Sequence, residues 1–351
     1  VVALRADRDA EGGDGVITVS SARIHNLDGL DLAMPARGMT VLSGVSGSGK
    51  STLLHRVIHG SALAGRPVHC AALAGLERFA QVLSFAPLNP RRCGNERVID
   101  FLGAAPAVFK AFAQEAEPSA RRRLARALAA PDAVSACPHC QGAGEWTTEL
   151  DYMGSFTESC AHCLGSGLAG ELAGLRLQGI KLAEALAGDI DALPGDVVVA
   201  CGLARAARGL AELSLGTLSL GRRLRTLSTG ELQRLRLARL LLDLGPAPCL
   251  LLLDEPDSGL APDECRQLIA AFGERLAHGH AAVVISHQPL TMAQADHIID
   301  LGPGAGADGG RVVASGTPRQ VVAGDWPLSR TAAFLRQMHQ SGDLHVESET
   351  P

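Results

Sequence analysis

The eight residues GVSGSGKS, 44–51, limit what this chain can fold into more than any other stretch. They match G-x-x-x-x-G-K-[ST] in full and stand between the apolar run TVLS and the amphipathic run STLLHRVIHG. The pattern predicts a strand, a glycine-rich turn and a helix. Glycines let backbone N–H groups turn toward phosphates, and the helix N-terminus adds partial positive charge. Gly44, Ser46, Gly47, Gly49, Lys50, Ser51 and Thr52 are therefore the expected nucleotide-binding residues. Lys50 reaches the β- and γ-phosphates, and Ser51 supplies an oxygen to Mg²⁺.

A phosphate loop needs an acid beside it. LLLLDEP (250–256) provides one, because four leucines bury a strand and Asp254 emerges at its C-terminal end. Asp254 is expected to hold Mg²⁺, mainly through water, and Glu255 to polarise an attacking water. VVISH (283–287) ends a second apolar strand in His287, placed to contact the γ-phosphate or the water.

Strands alternate with helices along much of the chain, which predicts an α/β fold with a mostly parallel sheet flanked by helices. Residues 17–34 read as one or two strands, 82–85 as another, and 97–130 as helices interrupted at EAEPSA. STGELQRLRLARLLLDLG (228–245) reads as a strong helix, with Ser228 as N-cap and Glu231 completing a capping box. The polar, acidic tail after about residue 335 is expected to fray.

Residues 137–163, CPHCQGAGEWTTELDYMGSFTESCAHC, hold two Cys-x-x-Cys pairs nineteen residues apart. Cys137, Cys140, Cys160 and Cys163 suit tetrahedral Zn²⁺ in a closed structural site. Four thiolates also suit an iron–sulfur cluster. A glycine-rich turn follows each pair, and the segment reads as knuckles and turns rather than a packed sheet. The other five cysteines, Cys70, Cys93, Cys201, Cys249 and Cys265, are scattered and read as core residues. An odd, dispersed set favours a reducing compartment, so a cytoplasmic protein is expected.

The net charge of −5 excludes a simple basic nucleic-acid mat. Any DNA contact must come from a local patch such as Arg91-Arg92, Arg121–Arg123 or the arginines between 222 and 239. No run approaches the roughly 20 apolar residues of a membrane helix, so no membrane partner is expected.

Together these motifs resemble the ABC-type ATPases, and more closely the second ATPase module of the UvrA family, the damage-recognition subunit of bacterial nucleotide excision repair. The resemblance runs from about 17 to 320. It rests on ARIHNLDGLDLAMP, GVSGSGKSTL, the cysteine pairs with their glycine turns, LSTGELQRLRLA, LLLDEPDSGL and, most specifically, ADHIIDLGPGAGADGGRVVASGTP (295–318). It implies a P-loop fold of the ABC type, ATP with Mg²⁺, and a helical signature insert carrying the zinc module. It also implies head-to-tail pairing with a second module, as a homodimer or from a partner half, so that Ser228 and Gly230 face the γ-phosphate of the opposite module. ATP hydrolysis then controls binding of double-stranded DNA, in excision repair alongside an excision nuclease or in resistance to DNA-binding drugs.

The chain departs from the family in places. Phe85 stands where a glutamine is usual, with Gln81 nearby but out of place, and Thr229 replaces a glycine. PRRCGN (90–95) and LDYMG (150–154) also differ. Phe85 and Thr229 point to weakened hydrolysis, and so to the alternative of a module that binds nucleotide and scaffolds a dimer. A transporter subunit would share the loop, signature and acid motif but not the cysteines. The expected organisation is a core over 1–90, an insert over 91–224 with its metal module at 137–163, a second core part over 225–335, and a flexible tail over 336–351.

Overall fold

The computed structural model describes residues 2–4, 15–88, 93, 96–129, 136–150 and 154–346. These form two compact units, one of residues 1–87 with 243–351 and the other of residues 88–242. The cuts fall near 90 but also at 242/243, so the helix Thr229–Asp243 is grouped with the insert up to its last residue. Its Leu232, Leu235, Leu237 and Leu241 are buried.

The first unit is built on a six-stranded sheet. Its strands, from edge to edge, are Arg311–Gly316, His297–Gly302, Gly38–Gly44, Ala281–Ile285, Cys249–Asp254 and Gln81–Phe85. All run parallel except Arg311–Gly316, which pairs antiparallel with His297–Gly302. Central parallel strands are covered on both faces, which is why Leu250 to Leu253 and Ala281 to Ile285 are continuous apolar runs. The register sets Asp254 beside Ile285, Ile285 beside Leu42, and Leu301 beside Gly44. The C-terminal strand ends therefore gather the phosphate loop and the acids along one edge.

The helix after the loop is wound with π-type turns over Thr52–His59, then continues as α-helix over Gly60–Ala64. Leu53, Leu54, Val57 and Ile58 are its buried face. Gly65, left-handed at φ 62°, ends it. The stretch expected as one or two strands is two, Val16–Ile24 and Leu27–Pro35, antiparallel, and Ala72–Ala74 joins them in a second sheet. Residues 336–340, expected in the frayed tail, continue the helix Arg330–Gln340. Its N-cap Ser329 and its residue Thr331 both donate to the buried Asp300 carboxylate. The strand Leu344–Val346 pairs parallel with Val2–Leu4.

The second unit is helical. Val98–Phe101, Ala105–Gln114 and Pro118–Ala129 fill the stretch expected to be helical, with the break at residues 115–117. The span between the cysteine pairs is not all turn: Glu145–Leu150 and Gly154–Ser159 form an antiparallel hairpin. The β-branched and aromatic residue types in EWTTEL and GSFTES favour strands, a signal that the flanking glycines obscured. Asp151 to Met153 of LDYMG, and all of PRRCGN except Cys93, lie outside the described residues, as do Arg91 and Arg92.

Candidate nucleotide site and metal centre

The loop 44–51 leaves the central strand and closes on the helix that follows. Gly44, Gly47 and Gly49 hold φ of 129°, 77° and 107°, a region closed to most side chains. Space confirms the need at Gly44, where a Cβ would lie 2.1 Å from the Leu301 carbonyl oxygen. Ser48 Oγ is buried with no hydrogen-bond partner among the described residues. Lys50 Nζ donates to the carbonyls of Gly44 at 2.8 Å and Val45 at 2.9 Å, folding over the loop it would clear for a phosphate. Burial lowers the Lys50 pKa, while Glu255, Asp300 and Asp254 act to raise it. Left-handed glycines, an orphan hydroxyl and a buried ammonium suit a bound polyphosphate.

Two segments brace the loop from outside. Asn26 Nδ2 donates to the Gly47 carbonyl at 3.1 Å. From the closing run, the Gly306 and Gly310 N–H groups donate to the carbonyls of Gly47 and Ser48 at 3.1 and 3.0 Å. A Cβ on Gly310 would meet the Asn26 carbonyl oxygen at 2.1 Å. The glycines of GPGAGADGG thus allow backbone to lie directly against the phosphate loop. Sequence reasoning used this run as a family marker and missed its contact role.

Asp254 and Glu255 follow one another off the acidic strand. Glu255 takes a left-handed φ of 46°, costly for a non-glycine residue by roughly 1–3 kcal/mol. Its N–H donates to the Ile285 carbonyl at 3.0 Å, fixing the turn to the neighbouring strand. That strand leads to His287, whose Nε2 lies 3.8 Å from Glu255 Oε1. Both side chains are open to solvent, 49% for His287 and 42% for Glu255. The two residues named from separate motifs are thus brought together at one edge of the sheet.

His55 was not among the expected residues. It sits one helical turn past Ser51, with Nε2 2.9 Å from Asp254 Oδ2 and Nδ1 3.3 Å from Ser84 Oγ. Its signal in the sequence was faint, a polar residue on the apolar helix TLLHRVIH. His55 lines a cavity of about 640 Å³ with Ser51, Thr52, His25, His59 and His69. His25 Nδ1 is 3.4 Å from Thr52 Oγ1.

In the insert unit, Ser228 caps the signature helix as expected. The Glu231 N–H donates to Ser228 Oγ at 3.1 Å, and the Ser228 N–H to Glu231 Oε2 at 2.7 Å. Gly230 has open space where a Cβ would stand. Thr229 and Ser228 are exposed.

The four cysteine sulfurs of Cys137, Cys140, Cys160 and Cys163 lie within 4.8 Å of one another, all buried. Sulfurs about 2.3 Å from a tetrahedral Zn²⁺ are about 3.8 Å apart, and Cys140 Sγ and Cys163 Sγ are 3.7 Å apart. The Gly144 and Gly167 N–H groups donate to Cys140 Sγ at 3.2 Å and Cys163 Sγ at 3.3 Å, as suits thiolates. Burial pushes the Cys163 thiol up to about 12, so a cation is what makes thiolates favourable there. The donor set fits zinc. His139 and His162, inside the two pairs, stack with centroids 3.4 Å apart. Of the remaining cysteines, Cys201, Cys249 and Cys265 are buried and Cys70 and Cys93 half-buried, all as free thiols.

No family model matches the chain. It is 31% identical over 331 residues to the UvrABC system protein A of Escherichia coli K12, covering 92% of this chain and 35% of that protein. To the same protein of Mycobacterium tuberculosis it is 31% identical over 333 residues, 93% of this chain and 34% of the relative. The crystal structure of UvrA2 from Deinococcus radiodurans superposes with a TM-score of 0.80 at 31% identity, over 95% of this chain and 41% of that one. The chain is a UvrA homologue. It spans about a third of the length of the curated relatives it matches, as a UvrA-like ABC ATPase module does.

Phe85 was expected to stand where the resemblance puts a glutamine. It ends the strand Gln81–Phe85, is 2% exposed and sits beside Leu253, one residue before Asp254. Gln81 lies at the opposite end of the same strand and cannot take its place. In this UvrA-like chain the side chain that reaches Asp254 comes from the helix, as His55, rather than from that strand. Among the described residues no helix is long and apolar enough to cross a membrane.

Proposed function

We propose that this chain is an ATP-binding and ATP-hydrolysing module that controls binding to double-stranded DNA, in excision repair or in resistance to DNA-binding drugs. The observation that carries the reading is the meeting of Glu255 and His287, 3.8 Å apart, beyond the C-terminal ends of the parallel strands, where the loop 44–51 begins. Lys50 and the loop amides hold the β- and γ-phosphates. Ser51 and Asp254 hold Mg²⁺, which when bound neutralises charge on the phosphates. Glu255 accepts the proton of a water whose oxygen attacks the γ-phosphorus, as the bond from that phosphorus to the bridging oxygen breaks. His287 donates toward the γ-phosphate.

Completion of the site needs a second module, a copy of this chain or a partner half. Ser228 and Gly230 of one module face the γ-phosphate of the other, presented at the start of a capped helix. Zinc bound by Cys137, Cys140, Cys160 and Cys163 holds the insert, whose hairpin is the element nearest the metal in sequence. DNA, the second module, an excision-nuclease partner and a cytoplasmic location are carried over from the family.

Glu255→Gln tests the reading. ATP turnover, measured with and without DNA and with the second module present, should fall at least about 100-fold while nucleotide binding persists. Wild-type protein that neither turns over ATP nor binds DNA in any such assembly overturns it. Phe85 favours a second reading, a module that binds nucleotide and scaffolds a dimer. Tight ATP binding without turnover in zinc-loaded wild-type assemblies would select it.

A further inference from the structure

Three arginines in one short segment, Arg222, Arg223 and Arg225, line a cavity of about 1020 Å³ beside the cysteine module. Their charge suggests an anion site, but their hydrogen bonds do not. Each guanidinium is already engaged by the protein itself.

Arg223 grips the first cysteine knuckle. Its Nε donates to the Ala143 carbonyl at 3.1 Å and its Nη2 to the Gly142 carbonyl at 2.9 Å. Those carbonyls belong to the turn whose Gly144 N–H donates to Cys140 Sγ. The same Nη2 would lie 3.5 Å from a Cβ on Gly144 and 3.3 Å from one on Gly167, so the guanidinium rests against the turns of both knuckles. Arg225 forms an ion pair with Glu145, the first residue of the hairpin.

Arg222 faces the other way. Its Nη1 donates to Glu231 Oε1 at 2.8 Å, and its Nη2 to Glu231 Oε2 at 3.3 Å and to the Thr226 carbonyl at 3.1 Å. Glu231 in turn accepts from the Ser228 N–H and, through its own N–H, holds Ser228 Oγ. The segment is itself anchored, with the Val98 N–H donating to the Arg222 carbonyl and the Leu224 N–H to the Glu96 carbonyl, both at 2.9 Å. Adjacent residues on one fixed strap therefore hold the metal knuckle and the capping box.

We propose that Arg223 is a positioning residue for the signature turn: through the strap 222–226, it ties occupancy of the cysteine site to the placement of Ser228. A metal-filled knuckle fixes the carbonyls of Gly142 and Ala143, those carbonyls fix Arg223, and the strap then presents Arg222 to Glu231. Without the metal the knuckle turn loosens, and the capping box loses its outer anchor.

Hydrogen–deuterium exchange of the full chain, zinc-loaded and chelator-treated, tests this directly. In wild type, zinc removal should speed exchange over 228–234 about tenfold. Zinc-loaded Arg223→Ala should show that fast exchange already, at one zinc per chain, and zinc removal should change it no further. Arg223→Lys, able to reach one carbonyl, should restore part of the protection. If Arg223→Ala does not fold, Arg222→Ala severs only the Glu231 side, and exchange over 228–234 should then ignore zinc. The proposal is overturned if zinc-depleted wild type keeps its protection at 228–234 while 136–146 loses it, or if zinc-loaded Arg223→Ala is as protected as wild type. A kinetic arm rests on the ATPase reading: with the second module present, Arg223→Ala should raise the KM for ATP about tenfold and leave kcat within about twofold. Zinc-dependent exchange in a chain that turns over no ATP keeps the strap and removes only the ATPase reading.

Discussion

His55 Nε2 lies 2.9 Å from Asp254 Oδ2, and its other ring nitrogen faces Ser84 Oγ at 3.3 Å. The pair joins the helix after the phosphate loop to two neighbouring strands. An Nε2–H donated to the carboxylate, with Nδ1 accepting from the Ser84 hydroxyl, satisfies all three groups at once. Residues that orient a metal-binding carboxylate matter to the metal even when they never touch it.

His55→Ala should therefore raise the Mg²⁺ concentration needed for half-maximal ATP binding by about tenfold. Ser84→Ala should have a smaller effect in the same direction. Nucleotide titrations followed by fluorescence at fixed ATP and varied Mg²⁺ would measure both. An unchanged Mg²⁺ requirement in His55→Ala would show that Asp254 is held without the imidazole.

Two glycines should respond oppositely to alanine. Gly310 has a φ of 73° and its Cβ would collide with the Asn26 carbonyl oxygen at 2.1 Å. Gly310→Ala should cost on the order of 1–3 kcal/mol of stability and weaken ATP binding, because the shifted backbone braces Ser48. Gly230 stands in open space near the start of a helix. Gly230→Ala should leave thermal stability unchanged or raise it by up to about 1 kcal/mol. Turnover should nonetheless fall if the second module's phosphate approaches there. Differential scanning calorimetry beside a turnover assay separates the two effects.

Elemental analysis should find about one zinc per chain. Cys137→Ser should lose that metal and unfold the knuckle–hairpin segment, seen as new protease cuts between 136 and 168. Binding free energy at such sites is folding free energy. The loop 44–51 belongs to the other compact unit, so nucleotide binding by the isolated chain should survive. An iron–sulfur absorbance band in place of zinc would overturn the metal assignment.

Glu231 supplies a pH test. Burial works to raise its pKa, but hydrogen bonds from Ser228 and the Arg222 guanidinium hold it below its ordinary value of 4.5. A carboxyl held low in the folded state contributes stability that is full above the ordinary value and is lost as pH falls beneath it. Glu231→Gln should thus be less stable than wild type at pH 7, by about 1 kcal/mol for a cap of this kind. The difference should shrink as pH drops below 4.5. A gap that stays constant into acid would mean that the charge of Glu231 does not matter.

The backbone geometry of the loop 44–51 and of the turn after the acidic strand was legible because it is local. A loop such as 44–51 must carry its own glycines and lysine, and Asp254 and Glu255 must follow a buried strand. The capping box at Ser228 and Glu231 was readable for the same reason, as was the cysteine quartet. What escaped depended on distant pairing. His55 meets Asp254 across 199 positions, and Gly310 reaches Ser48 from far along the sequence. The hairpin between the knuckles was hidden because its strands are short and bounded by glycine. The signature helix is grouped with the insert up to residue 242, and its Leu232, Leu235, Leu237 and Leu241 are buried.

The order of the central sheet has a consequence for how the chain is made. The strand Gly38–Gly44 takes its two neighbours from Ala281–Ile285 and His297–Gly302. A ribosome therefore emits the phosphate loop more than two hundred residues before either flanking strand emerges. Throughout that interval the loop's own strand has two open edges and no partner, the kind of exposed template on which nascent chains stick together. The intervening insert, with its local helices and its own metal, can close first. For this fold, the part of the sequence that is easiest to recognise is among the last to be assembled.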